Sequence, residues 1–310
     1  MKFAYVFPGQ GSQFAGMGKE LAEQYREAKD AFAEADEALG FGLSKLCFEG
    51  PEEDLKLTEN TQPALVATSV AALRVLRSLG APEPALVAGH SLGEYSALVA
   101  AGSLEFADAL RLVRKRGQYM QAAVPAGVGA MAAILKMPFE KLDEVLAEAA
   151  QGEVVSAANL NSPDQIVIAG HKGAVERAME LAKAAGAKRC VALPVSAPFH
   201  CALMRPAQER LEGDLRETEF GDLRVPLVNN WQARLIGSGS EARQGLYEQV
   251  PSPVRWVETV RLLAREGVTH TLEVGAGKVL CGLIRNIEGT MVALNYGAPG
   301  DWGALEGALG

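Results

Sequence analysis

Apolar and polar positions along the chain follow two alternating periods. Phe3-Ala4-Tyr5-Val6-Phe7 is an unbroken apolar run that stops at Pro8, which predicts a short buried strand. Pro8-Gly9-Gln10-Gly11-Ser12-Gln13 reads as a loop from its Pro and Gly content. Residues 17–39 carry apolar positions at helical spacing, with charges on the outer face. Residues 61–79 predict a second helix, with Gln62-Pro63 at its start and Gly80 at its end. An apolar run over 85–88 predicts a strand, and a helix follows it from Glu94. Residues 104–123 predict another helix, carrying Arg111, Arg114, Lys115 and Arg116.

Around Val124-Pro125-Ala126-Gly127-Val128-Gly129 the pattern changes. Strands are expected at 130–135, 154–159, 165–169 and 189–194, with helices at 139–150 and 173–185. The order β-α-β-β-α-β is that of a ferredoxin-like split motif. We therefore expect residues 126–195 to form a small inserted subdomain. The main domain then comprises 1–125 and 196–310, with further strands at 225–229 and 271–274. Strands alternating with helices imply an α/β core whose mostly parallel sheet is covered on both faces.

Composition narrows the function classes. The chain has 310 residues, 48% hydrophobic and 22% charged, with a net charge of −8. Such an acidic chain is a poor general binder of nucleic acid. Cys47, Cys190, Cys201 and Cys281 are scattered, without a C-x-x-C pair, so neither a zinc site nor a disulfide framework is expected. The first apolar run is too short for a signal peptide. No run approaches the ~18 apolar residues of a membrane span. A cytoplasmic protein, with no membrane partner, is the expectation.

The candidate chemistry centres on Gly89-His90-Ser91-Leu92-Gly93, a G-x-S-x-G sequence between a strand and a helix. In that context the serine stands on a sharp turn and becomes a nucleophile. A plain small-residue turn explains the glycines equally well until a base is found. The histidines are His90, His171, His200 and His270. His90 adjoins the serine and points away from it on a turn. His171 starts a surface-like segment, and His270 precedes a strand. Elimination leaves His200, in the stiff Pro194-Val195-Ser196-Ala197-Pro198-Phe199-His200 segment. Asp108, Asp143 and Asp164 lie between Ser91 and His200, and none has the strand-end setting of a triad acid. A backbone carbonyl can orient the imidazole instead, giving a Ser-His dyad. An oxyanion hole needs two preorganised N–H donors. Leu92 N–H is one candidate, and the 8–13 loop, with Gln10 in it, is a source of the other. The same loop lacks the third glycine of G-x-G-x-x-G, and Gly275-Ala276-Gly277-Lys278 lacks the Ser/Thr of a P-loop. The basic run 111–116 is explained by a helix C-terminus, or by one arginine holding a substrate carboxylate. Periodicity does not say which arginine.

Taken together, these motifs resemble one family. Phe7-Pro8-Gly9-Gln10-Gly11-Ser12-Gln13, Gly89-His90-Ser91-Leu92-Gly93-Glu94, Arg116-Gly117 with Met120-Gln121, Gly129-Ala130-Met131, and Ser196-Ala197-Pro198-Phe199-His200 occur in its order. Gln249 and Glu273-Val274-Gly275 with Gly277 complete the set. The chain resembles, nearly end to end, the malonyl-CoA:acyl-carrier-protein transacylases of dissociated, bacterial-type fatty acid synthesis. The resemblance implies a hydrolase-like α/β core with a ferredoxin-like subdomain. It implies Ser91 as the acylated nucleophile and His200 as its base. It implies Arg116 as the holder of the malonyl carboxylate, and Gln10 and Leu92 as backbone donors to the oxyanion. Gln249 would orient His200 through its main-chain carbonyl. Phe199 stands where some members carry Ser, which implies a narrower acyl pocket.

The implied reaction is ping-pong transfer of malonyl from malonyl-CoA to the phosphopantetheine thiol of acyl carrier protein, without metal or cofactor. Two rivals use the same residues differently: a serine thioesterase or esterase, and a non-catalytic scaffold binding acyl-CoA or carrier. Carrier proteins are acidic, so docking on this acidic chain needs a local basic patch. His171, Lys172, Arg177, Lys183, Lys188 and Arg189 offer one, as do Arg114 and Lys115; a solvated helix face explains them equally well.

Overall fold

The computed structural model describes residues 1–195 and 197–309. Ser196, where the main domain was expected to resume, and Gly310 lie outside the described residues. Among the described residues ten strands form two sheets. They are β1 (Phe3–Phe7), β2 (Leu86–Gly89), β3 (Gly129–Leu135), β4 (Val155–Ser162), β5 (Gln165–His171), β6 (Arg189–Ala192), β7 (Leu227–Val228), β8 (Leu235–Ile236), β9 (His270–Val274) and β10 (Val292–Tyr296).

The larger sheet runs β10-β9-β1-β2-β7-β8. Its pairings are parallel except β7 with β8. β1 and β2 sit at its centre, buried on both faces, as their unbroken apolar runs require. The period of two sorts their side chains. Phe3, Tyr5 and Phe7 point into one core, under helices Thr58–Ser78, Gly93–Ala101 and Phe106–Ala122. Ala4 and Val6 point into the opposite core, with Trp256, Val260 and Ile284 from helices Trp256–Arg265 and Val279–Ile287.

The smaller sheet is antiparallel, in the order β4-β5-β3-β6. Helices Leu142–Ala150 and Lys172–Ala184 cover one face around Ile134, Ile166 and Ile168. Its other face, with Met131, Ala133, Val167 and Ala169, joins the main hydrophobic core. The sheet is also stitched to the main body, since Leu160 N–H donates to Val254 O and Val254 N–H to Ala158 O, both at 2.9 Å. The hydrolase-like and ferredoxin-like layers therefore share one interior.

Several elements differ from the sequence pattern. The single helix expected over 17–39 is two, Lys19–Gln24 and Arg26–Leu39, because Tyr25 takes extended dihedrals with its ring against the main core. The helix expected from residue 61 begins at Thr58, with Pro63 inside it. Proline has no N–H for the carbonyl four residues back. Arg114 Nη1 donates to that freed oxygen, Glu59 O, at 3.2 Å. The run 111–116 lies mid-helix, and no basic residue occupies the last turn of Phe106–Ala122. Dipole complementation at a helix C-terminus therefore does not explain it. Elements absent from the pattern include β8, β10 and the helices Leu43–Glu49, Arg205–Glu217, Gly239–Gln249 and Trp302–Leu309. The two-residue strands are too short to show a period, and β10 is an edge strand with Val292 exposed.

Truncating a fully buried aliphatic side chain removes contacts and leaves a cavity. Ile284→Ala, on the core face away from the cleft, is expected to lower the unfolding free energy by about 2–5 kcal/mol. Urea denaturation with an unchanged m-value checks this.

Candidate active site

The cleft forms where the C-terminal ends of β1 and β2 meet the smaller sheet. β1 leads into the loop carrying Gln10, and β2 into the turn carrying Ser91. The turn is tight enough to dictate its glycines. A Cβ on Gly89 would lie 2.0 Å from Gly93 C, and one on Gly93 would lie 2.2 Å from Phe7 O. Ser91 itself has φ +52°, a left-handed conformation costing about 1–3 kcal/mol. Asn230 holds it there. Its Oδ1 accepts from Ser91 N–H at 2.7 Å, and its Nδ2 donates to Gly89 O at 2.6 Å.

His200 is also left-handed, with φ +58°, and is buried. Its Nε2 lies 2.7 Å from Ser91 Oγ. Its Nδ1 lies 3.1 Å from both Gln249 O and Ser252 O. Carbonyl oxygens only accept, so Nδ1 carries the proton and Nε2 presents a lone pair to the hydroxyl. Burial, reinforced by the nearby positive charge of Arg116, lowers His200 to about 3. The imidazole is therefore neutral at pH 7 and can receive the serine proton. No carboxylate touches it among the described residues.

The other histidines are engaged elsewhere. His90 Nε2 is 2.8 Å from Asn161 Oδ1, with its ring edge-on to Trp256. His171 Nδ1 accepts from Val154 N–H, and His270 stands beside Phe3.

Arg116 is the arginine of its run that enters the cleft, only 2% exposed. Nη1 donates to Gln62 Oε1 at 2.7 Å, and Nη2 to Gln249 Oε1 at 2.9 Å and Ser91 Oγ at 3.1 Å. Its guanidinium lies 5.7 Å from the Tyr95 ring centroid. It has no ion-pair partner among the described residues, so a buried cation faces neutral oxygens alone. By contrast, Arg111 pairs with Asp108, Arg114 with Glu59 and Lys115 with Asp214.

Gln10 and Leu92 line the cleft together with Ser91. Neither backbone N–H has a hydrogen-bond partner among the described residues. The Gln10 side chain is taken up by Thr58, whose Oγ1 donates to Gln10 Oε1 at 2.7 Å. Gln10 can therefore offer its amide, with the side chain fixing the loop. Phe199 is 8% exposed and lines the cleft with Met120, Met131, Leu193 and Val195. The cleft is small, about 110 Å³, and mostly apolar, with polar groups at its base.

Sequence reasoning missed Gln62, Asn230 and Ser252 as site residues. Gln62 looked like a helix-start residue beside Pro63, whereas it lies in the second turn and reaches Arg116. Asn230 carried a usable signal: a polar pair, Asn229-Asn230, directly after an apolar strand and buried in the fold. Among the described residues no cluster of three or more His, Cys, Asp or Glu is arranged to hold a metal. Of the basic residues considered for docking, Arg177 bonds Glu153, and Lys183 bonds Glu180. Lys188 and Arg189 are exposed at the smaller sheet.

An α/β core with a serine on a strained strand-to-helix turn, an imidazole on its hydroxyl and a buried cation beside both defines a serine acyl-transfer site. The family model described as acyl transferase domain matches residues 4–283. The chain belongs to that family. It is 50% identical over 298 residues to the malonyl CoA-acyl carrier protein transacylase of Escherichia coli K12, covering 96% of each chain. An acyl carrier protein S-malonyltransferase from Vibrio cholerae superposes with a TM-score of 0.96 at 51% identity, over 98% of this chain and all of that one. A malonyl-transacylase solved in complex with a type II PKS acyl-carrier protein gives 0.97 at 49% identity, over 99% and 100%. No helix among the described residues is long and apolar enough to cross a membrane.

The buried imidazole also makes stability depend on pH. Folded His200 takes a proton only near pH 3, whereas the unfolded side chain does so near 6.5. Between those values the unfolded chain binds more protons, so this group's contribution to stability is lost as pH falls. Glu94, raised to about 7, acts oppositely between 4.5 and 7. The difference between chains isolates His200: His200→Gln is expected to lose less thermal stability than the parent on acidification from pH 6.5 to 4, read by calorimetry.

Proposed function

We infer that this chain transfers a malonyl group from malonyl-CoA to the phosphopantetheine thiol of acyl carrier protein. The observation that carries this reading is one cluster: Ser91 Oγ 2.7 Å from His200 Nε2 and 3.1 Å from Arg116 Nη2. A nucleophile, its base and a carboxylate-binding cation then act on one small acyl group. The family membership and the names of the relatives agree with it.

In the first half-reaction Ser91 Oγ attacks the thioester carbonyl, and its proton passes to His200 Nε2. The Gln249 and Ser252 carbonyls on Nδ1–H stabilise the imidazolium that forms. The carbonyl oxygen becomes an oxyanion, received by the amides of Gln10 and Leu92. The C–S bond breaks, His200 returns the proton to the departing CoA sulfur, and a malonyl-serine ester remains. In the second half the carrier thiol gives its proton to His200 and attacks the ester. The same oxyanion forms, and Ser91 leaves with the proton. Each half exchanges one acyl bond for another, so the chemistry calls for no electron carrier, metal or cofactor beyond the two substrates.

Arg116 supplies acyl selectivity. A free malonyl carboxylate displaces one of its neutral oxygen partners and forms a charged pair in a dry site. Phe199 closes the acyl end of the cleft and restricts branching there. The apolar wall of Met120, Met131, Leu193 and Val195 keeps water from the ester, which separates transfer from hydrolysis. The carrier is expected to approach near Lys188 and Arg189, the exposed cations of the smaller sheet. Free thiols at Cys47, Cys190, Cys201 and Cys281 fit a cytoplasmic enzyme.

Incubation with malonyl-CoA alone is expected to add one malonyl group to Ser91, found by mass spectrometry and absent in Ser91→Ala. Added holo-carrier discharges it as malonyl-carrier. Discharge to free malonate at an equal rate without carrier identifies a hydrolase instead. Arg116→Ala is expected to lower malonyl transfer about 10–100-fold, the loss of one charge-assisted contact, while acetyl transfer holds or rises. Unchanged malonyl turnover in that variant refutes the role given to Arg116.

A further inference from the structure

Glu94 is fully buried directly behind the nucleophile turn, and the transfer steps make no use of it. Its Oε2 accepts from two donors: Gln249 Nε2 at 2.7 Å and Asn230 N–H at 3.0 Å. Each donor residue holds a functional group with its remaining atoms. The Asn230 side chain clamps the turn at Ser91 N–H and Gly89 O. The Gln249 side chain accepts from Arg116 Nη2, and its main-chain carbonyl accepts from His200 Nδ1.

A primary amide has two faces of opposite polarity. If the Gln249 amide rotated by half a turn, an N–H₂ group would meet the Arg116 guanidinium, donor against donor, in a buried site. Something must prevent this. Ser91 O accepts from Gln249 Nε2 at 3.1 Å and helps, but that oxygen belongs to the strained turn itself. A carboxylate oxygen only accepts when ionised, and accepts strongly. It is therefore the group that pins Nε2 and turns Oε1 towards the arginine. Glu94 lies one amide away from Arg116, close enough to offset part of the buried charge without occupying the position a substrate carboxylate needs.

We propose that Glu94 is the positioning residue of this site, orienting the Gln249 amide so that Arg116 stays poised for the malonyl carboxylate. This rests on the transfer reaction inferred above. Burial raises the Glu94 carboxyl to about 7, against the pull of its two donors and of Arg116, which marks an acid kept in an unfavourable place. Among the described residues its Oε1 has no hydrogen-bond partner, so the side chain is not there for its own satisfaction. The groups facing it are Asn230, Gln249, Tyr95 and Arg116, and Gly245 of the helix Gly239–Gln249 lies against Oε1.

The test compares Glu94→Met, which removes both accepted bonds at similar volume, with Glu94→Gln, whose oxygen can still accept them. Malonyl-CoA and acetyl-CoA are used as paired substrates for Ser91 acylation. The expected result is a drop of about 10-fold or more in the malonyl-to-acetyl ratio of kcat/KM for Glu94→Met, carried mainly in the malonyl KM. Glu94→Gln is expected to recover most of that ratio. An equal loss for both acyl groups overturns the proposal, because it is what a merely structural carboxyl produces. So does a Glu94→Gln variant as unselective as Glu94→Met. If Glu94→Met does not fold, Gln249→Met takes its place: it removes the amide that Glu94 holds, keeps the main-chain carbonyl, and must lower the ratio while Ser91 still accepts acetyl. An unchanged ratio overturns the proposal there too. A parent chain that never forms malonyl-Ser91 refutes the transfer reaction itself, whatever the variants do.

Discussion

A guanidinium held out of water among neutral oxygens is the constraint around which this cleft is organised. Arg116 would be at ease on the surface, as its neighbours Arg111 and Lys115 are, each paired with an aspartate. Buried without a direct counter-ion among the described residues, it carries a desolvation cost that the fold bears through Gln62, Gln249 and the Tyr95 ring. That unmet charge serves two ends. It adds to burial in lowering the basicity of His200, keeping the imidazole neutral beside Ser91. It also leaves a vacancy in the electrostatic balance that a substrate carboxylate can fill. In the proposed reaction, an arginine already paired would have nothing left with which to select a dicarboxylic acyl group.

Strain at the turn is the second constraint, and it is borne by the sheet. Ser91 and His200 both take left-handed backbone conformations that ordinary side chains avoid. They persist because the parallel centre of the sheet fixes where β1 and β2 end, and because Asn230 crosses over from the end of β7 to hold the turn. The smaller sheet supplies the lid side of the cleft through Met131 and Asn159. Its shared hydrophobic interior with the main body means that it is set in place by packing as well as by its two chain connections. The cleft walls and the Ser91 turn are thus parts of one solid.

Local chemistry made much of this legible in advance. Short apolar runs located β1 and β2, since strands buried on both faces need no polar alternation. The switch of texture near residue 125 located the β-α-β-β-α-β order. The two glycines around Ser91 are required by close backbone approach, so the turn was readable from residue types alone. Less legible were the joins. Tyr25 breaks a helix whose spacing runs straight through it, because a ring packs better in the core than along the helix. Thr58–Gln62 extend a helix past its proline, because Arg114 reaches over to the orphaned carbonyl.

The sequence by itself determined the class of architecture, the position of the reactive serine, and the set of chemical groups available to it. It also carried the family likeness, because motifs in a fixed order survive as one-dimensional information. The family likeness named Arg116 and the Gln249 carbonyl as expectations, but only the tertiary structure set them beside Ser91 and His200 and showed that Ser252, Glu94, Asn230 and Gln62 stand with them. Those facts depend on contacts between residues 25 to 158 positions apart. Hydrogen bonds of that range are set by how helices and strands pack, and no local periodicity encodes them.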